Sequence, residues 1–128
     1  MSFEVVGLPL PGMLSLADNS ANQFKFMKVT TTSGNVDLNT SSGGACIGVL
    51  QNKPTAATEA DVNTAGVSKV VAGAAVTVGD LIMSDASGRA ITYVAGAVNA
   101  CLGQALETAG GAGTIIAVVL KSGLGKGA

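Results

Sequence analysis

The chain has no His, two Cys, eight acidic residues and seven basic ones. Without His, the commonest general base and metal ligand near neutral pH is missing. Two thiols alone, Cys46 and Cys101, do not make a tetrahedral zinc site. Each lies in an apolar run, Ala45-Cys46-Ile47-Gly48 and Ala100-Cys101-Leu102-Gly103. A free Cys there behaves as a small hydrophobe, so both are read as buried thiols rather than as a disulfide or a nucleophile. Asp80 and Asp85 flank the apolar stretch Leu81–Ser84, a spacing that could present paired carboxylates for acid/base work. Both also sit by turn glycines, Gly79 and Gly88, where Asp bonds its own backbone. The turn role is favoured. Gly110-Gly111-Ala112-Gly113 precedes an apolar run with strand character, not a helix, and so is not a phosphate-binding loop. The triplet Thr30-Thr31-Thr32 does not recur, and reads as strand propensity. The expectation is a non-enzymatic protein with no cofactor and no metal.

The elements that would carry these residues are short. Residues 1–16 are rich in Gly and Pro, with Pro9, Pro11 and Gly12 close together, and predict an extended N-terminal arm. Its apolar side chains make Phe3, Val5, Val6, Leu8, Pro9 and Leu10 the candidate partner contacts, because the prolines disfavour helix and suit an extended path across a neighbour. Gln23–Thr32 has strand propensity, with Phe24, Phe26 and Lys28 on one face and Lys25, Met27 and Val29 on the other. Further strands are expected at Val36–Leu38, 45–51, 67–71, 81–84, 89–94, 100–106 and 114–120. Turns are expected at 33–35, 41–44, 85–88 and 108–113, the third with Asp first and Gly last. No segment keeps a helical period. Many short strands with Gly-bearing turns predict an all-β fold, a compact barrel-like or sandwich-like domain over residues 17–122. Residues 123–128 read as a loose Gly-rich tail. The Cys-bearing runs repeat each other in three of four positions. Two explanations stand, a pair of related half-domains and coincidence in an Ala/Gly-rich chain.

Composition narrows the function. The chain has 128 residues, 48% of them hydrophobic, with three Phe, one Tyr and no Trp. A core of small aliphatics suits thin, filled sheets rather than an aromatic-walled ligand pocket. A net charge of -1 from so few charged groups leaves neutral or apolar surface exposed, and extended apolar surface usually marks an interface. The alternative is solvation by the many Ser, Thr and Asn side chains. There is no basic stripe and little to stack on bases, so no nucleic-acid partner is expected. Residues 1–10 carry Glu4 and no basic residue, unlike a signal peptide. The run 90–106 is uncharged after Arg89 but broken by Thr92, Gly96, Asn99, Gly103 and Gln104, so no membrane span is expected. Synthesis in a cytoplasm follows.

Several blocks, in order, resemble one family. They are Ala17-Asp18-Asn19-Ser20-Ala21-Asn22-Gln23-Phe24-Lys25-Phe26-Met27-Lys28, then Ile47-Gly48-Val49-Leu50-Gln51-Asn52-Lys53-Pro54, then Val67-Ser68-Lys69-Val70-Val71-Ala72-Gly73. Val78-Gly79-Asp80-Leu81 with Ser84–Ala90, Leu102–Glu107 and Ile115–Leu120 complete the set. Together, over about Ser15 to Gly123, they resemble the capsid decoration, or head cement, proteins of tailed bacteriophages. Single blocks are generic β-turn patterns, and the specificity lies in their order. Thr58-Glu59 stands where the family usually has Gly-Glu. The resemblance implies a β-barrel-like domain on the outside of an icosahedral head, bound to the major capsid protein and bracing the shell against packaged DNA. It also implies small homo-oligomers, usually trimers, and offers no catalytic residues. The competing expectation is a small carbohydrate- or ligand-binding β-module of a larger assembly such as a tail fibre. The lack of Trp platforms counts against it.

Overall fold

The computed structural model describes residues 7–10, as backbone, with 13–95 and 99–120. They form ten strands. These are β1 (Gly7–Leu10), β2 (Leu14–Ser15), β3 (Phe26–Val29), β4 (Asn35–Leu38), β5 (Gly48–Leu50), β6 (Val62–Val71), β7 (Leu81–Ser84), β8 (Ala90–Thr92), β9 (Gly103–Ala105) and β10 (Ile115–Leu120). No helix occurs among the described residues. All strands belong to one sheet in the order β2-β4-β3-β5-β6-β10-β9-β7-β8, and β1 pairs with β6 off that path.

The fold is all-β as expected; of the barrel-like and sandwich-like forms, a closed barrel is not made, because the sheet does not close end to end. The cause lies in the two end strands. The outer side of β2 is taken by residues 57–60, through Ser15 N to Thr58 O (2.8 Å), Ala57 N to Ser15 O (2.8 Å) and Ala60 N to Met13 O (2.9 Å). At the other end, Ala90 of β8 bridges Ala72 and accepts a bond from Gly73 N (2.8 Å). Each end therefore curls onto chain that flanks β6, and the backbone groups that closure would need are already paired.

Within the segment expected as an arm, β1 pairs antiparallel with β6, setting Pro9 against Asn63 and Leu10 against Val62. β2 runs parallel to β4 and its Leu14 bridges Glu59. Phe3, Val5, Val6 and the 123–128 tail lie outside the described residues.

The strand order reads alike in both directions from its centre, where β6 pairs with β10. On one side β6 is followed by β5, β3 and β4; on the other β10 is followed by β9, β7 and β8. The registers agree. Met27 pairs with Leu38 and Gly48, and Ile82 pairs with Thr92 and Gly103. Each half has its own core. Met27, Val36, Leu50, Ala60 and Val62 form the smaller one. The larger holds the corresponding Ile82, Ala90, Ala105 and Val118, and adds Phe26, Cys46 and Val49 from the first half. Both faces of β5, and of β3 at Phe26 and Met27, are thereby buried, which is why Gly48-Val49-Leu50 reads as continuous rather than alternating. Buried polar groups also stitch the halves. Asn39 Nδ2 donates to Ser84 Oγ (2.8 Å) and to Ser41 O (2.8 Å), and Gly43 N donates to Ser84 O (2.7 Å).

Candidate interaction surface

The four residues singled out for chemistry, Asp80, Asp85, Cys46 and Cys101, hold turns or are sealed in the core. Asp85 Oδ1 accepts Ser87 N and Arg89 N (both 2.8 Å), and its Oδ2 meets Arg89 Nε at 3.1 Å. Asp80 Oδ2 accepts Thr77 N (3.0 Å) and Thr92 Oγ1–H (3.2 Å). Cys46 and Cys101 are free and buried, each in the segment just before a strand. Burial pushes the Cys46 thiol up to about 12, so it stays protonated at neutral pH and is a poor nucleophile. Among the described residues no group of three His, Cys, Asp or Glu side chains converges to hold a metal.

What the sheet does present is an uncovered face. In the second half, Leu81 pairs with Gln104, Gln104 with Val119, and Val119 with Val67, so the four form a row across β7, β9, β10 and β6. Their alternating neighbours Ile82, Ala105, Val118 and Ser68 point into the protein. Leu81 is 48% exposed, Val119 36%, and Ile115, on the same face of β10, 50%, while Ala117 between them is buried and its partner Lys69 on β6 is exposed. An antiparallel sheet with one solvated face normally alternates apolar and polar. β10 does not: Ile115-Ile116-Ala117-Val118-Val119-Leu120 is apolar on both sides. That unbroken run was the signal available in the sequence for this face; the arm residues drew the prediction instead. Of the six predicted contacts, Leu8, Pro9 and Leu10 lie in β1, on the opposite half of β6 from most of the β10 pairing.

A second exposed feature is the β3–β4 turn. Val29 is 56% exposed and residues 31–34 are open to solvent. Gly34 has φ +79 and nothing stands within 4 Å of where its Cβ would be. The corresponding β7–β8 turn is treated differently. Gly88, φ +73, is buried against Leu38, Lys25 and the Phe26 carbonyl, and its own carbonyl accepts Phe26 N at 2.7 Å.

Fold and surface together define an all-β domain whose one sheet exposes a mixed face, with Leu81, Ile115 and Val119 among Gln104 and Lys69. Residues 17–120 match the family model described as phage cement protein. The chain belongs to that family, and the family gives it a cement role on a phage capsid, as a component of the virion. Among solved structures it is similar to the head fiber gp8.5 N base of bacteriophage phi29. The TM-score is 0.68 at 14% identity, over 92% of this chain and 95% of that one. At that identity the likeness concerns the fold. Among curated protein sequences none matches the chain.

Proposed function

We propose that this protein binds the outer surface of an icosahedral phage head and stabilises the shell by contact alone, without catalysis. The family match over residues 17–120 carries the reading. Its low charge and the exposed Leu81, Ile115 and Val119 support it, since both suit a protein that spends its working life against another protein surface. The partners are the major capsid protein and further copies of the same chain, grouped in small oligomers and, by the family resemblance, in trimers. Each bound copy favours only the assembled shell, so modest contacts repeated over a head add up. The N-terminal segment, with Phe3, Val5, Val6, Leu8, Pro9 and Leu10, is the proposed anchor to the shell. The protein is made in the host cytoplasm and ends on the outside of the virion. The test is co-sedimentation of the purified protein with heads of its own phage that lack it. Saturable binding at a fixed number of copies per head is expected. Absence of binding to intact heads would overturn the reading.

A further inference from the structure

Two strands share one edge of β6. At Val62 and Asn63 the other edge is taken by β5, so β1, which pairs with the same two residues, lies opposite it. β10 uses that opposite edge too. On the β5 side, Val71 N donates to Phe24 O (2.8 Å), and Phe24 N to Leu50 O (2.7 Å). On the β10 side, Ala72 N donates to Thr114 O (2.7 Å) and Ala72 O accepts Gly113 N (2.8 Å). β10 and β1 meet end to end. β10 finishes with Leu120 against Gly66, and β1 starts with Gly7 against Gly66. β1 therefore stands in the line along which β10 would continue.

The internal symmetry assigns that line to the chain after Leu120. Val62 and Asn63 correspond to Val118 and Val119, through their partners in β5 and β9. Thr64 then corresponds to Leu120, and Gly66 and Ser68 to Ser122 and Leu124. The observed pairs, Leu120 with Gly66 and Val118 with Ser68, map onto Ser122 with Thr64 and Leu124 with Val62. A straight extension of β10 gives the same partners. Leu124 would thus stand opposite Val62, part of the smaller core, where Leu10 of β1 now stands. β1 fits the line less well: its register shifts between Gly7 and Pro9, and it pairs with no other strand among the described residues. Lys121-Ser122-Gly123-Leu124 needs no shift and has no proline.

We infer that residues 62–65 of β6 are a strand slot that the chain fills in two ways, with β1 or with residues 121–124. When β1 leaves, the C-terminal segment extends β10 and takes its place. Its use rests on the anchor reading above: the arm is released to the shell, and the central strand is not left with an open edge. The bonds lost with β1 are replaced by those of Ser122 and Leu124.

The test is residue-resolved amide hydrogen exchange by NMR on the free protein. In the full chain, Leu10→Pro removes the N–H opposite Val62 and dislodges β1; deleting residues 1–10 removes it outright. In both, the Ser122 and Leu124 amides should exchange at least about ten-fold more slowly than in wild type, and Val62 should stay protected. Adding Leu124→Pro to either should speed exchange at Val62 at least about ten-fold. Val70, paired with Ile116 of β10, should stay protected throughout. Ser122 and Leu124 amides that exchange as in wild type after the deletion overturn the inference, whatever Val62 does. Exchange that rises at Val70 together with Val62 also overturns it, since the sheet then needs β1 itself. So does Val62 that stays protected in the deleted chain carrying Leu124→Pro, since something else then fills the slot. Heads that bind the deleted chain in full would remove the anchor reading and leave the exchange standing.

Discussion

Adding one methyl group at Gly48 should destabilise this protein far more than adding one at Gly110. Gly48 opens β5 where β6 passes closest. A Cβ built there would lie 2.8 Å from the Asn63 carbonyl carbon and from Val62 Cγ1, and closer still to the Asn63 carbonyl oxygen. Carbon atoms rest about 3.5–4.0 Å apart, so β6 would have to retreat by roughly 1 Å. That retreat is resisted, because the obstacle is the backbone of the central strand, paired with β1, β5 and β10. Overpacking of a filled interior costs about 1–3 kcal/mol, and a clash with backbone belongs at the upper end. Gly110 has no neighbour within 4 Å and ordinary φ, so Gly110→Ala should be neutral or add up to about 0.5 kcal/mol by restricting the unfolded chain. For a chain of this size 1 kcal/mol moves Tm by roughly 4 °C. Calorimetry should therefore place Gly48→Ala about 10 °C below wild type and Gly110→Ala within about 2 °C of it. Gly103→Ala, whose Cβ would press on Val119 and Val118 of β10, should behave like Gly48→Ala. If Gly48→Ala melts with wild type, the close approach of β5 and β6 is wrong, and so is the register derived from it.

Three other outcomes are expected. Asn39→Ala removes the buried amide that joins Ser84 Oγ to the 39–41 turn, and should cost about 1–3 kcal/mol by urea titration; an unchanged midpoint would mean that water replaces the amide at no loss. Burial raises the Cys46 thiol from 9.0 to about 12, so the unfolded chain loses that proton at lower pH than the folded one. Its contribution is complete below pH 9 and is lost as pH rises towards 12. Cys46→Ala should therefore flatten the fall of Tm over that range, and parallel Tm curves for the two proteins would refute the assignment. Deleting residues 1–10 should lower occupancy on heads by at least about ten-fold if they are the anchor; full occupancy would move the anchor elsewhere.

Much of the strand pattern was legible because the turns announced themselves. Asp85-Ala86-Ser87-Gly88 placed β7 and β8 within two residues of their observed ends, through Asp at the first position and a Gly able to take φ +73. The strand read over residues 23–32 shrank to Phe26–Val29, since Phe24 adopts φ +66 and turns the chain before β3. β6 begins at Val62, five residues before the expected start, because Asn63, Ala65 and Gly66 carry little strand propensity, and the stretch is held by pairing with β1, β5 and β10. Closure was the point left open between a barrel-like and a sandwich-like form. Strand count and turn spacing are the same for a barrel and for a sheet curled at both ends. The difference lies in long-range bonds such as Ser15 to Thr58 and Gly73 to Ala90, which leave no local trace. The bare face was missed for a related reason. An apolar run like Ile115–Leu120 looks the same whether its second side is covered by the same chain or left for another.

The cement reading is tested most directly by the temperature at which heads release their DNA. Heads lacking this protein should be heated with and without it, and released DNA followed by dye fluorescence. Heads carrying the protein at saturation should release DNA at a clearly higher temperature, and the rise should scale with occupancy. Heads that bind the protein fully and still release DNA at the temperature of bare heads would contradict the account.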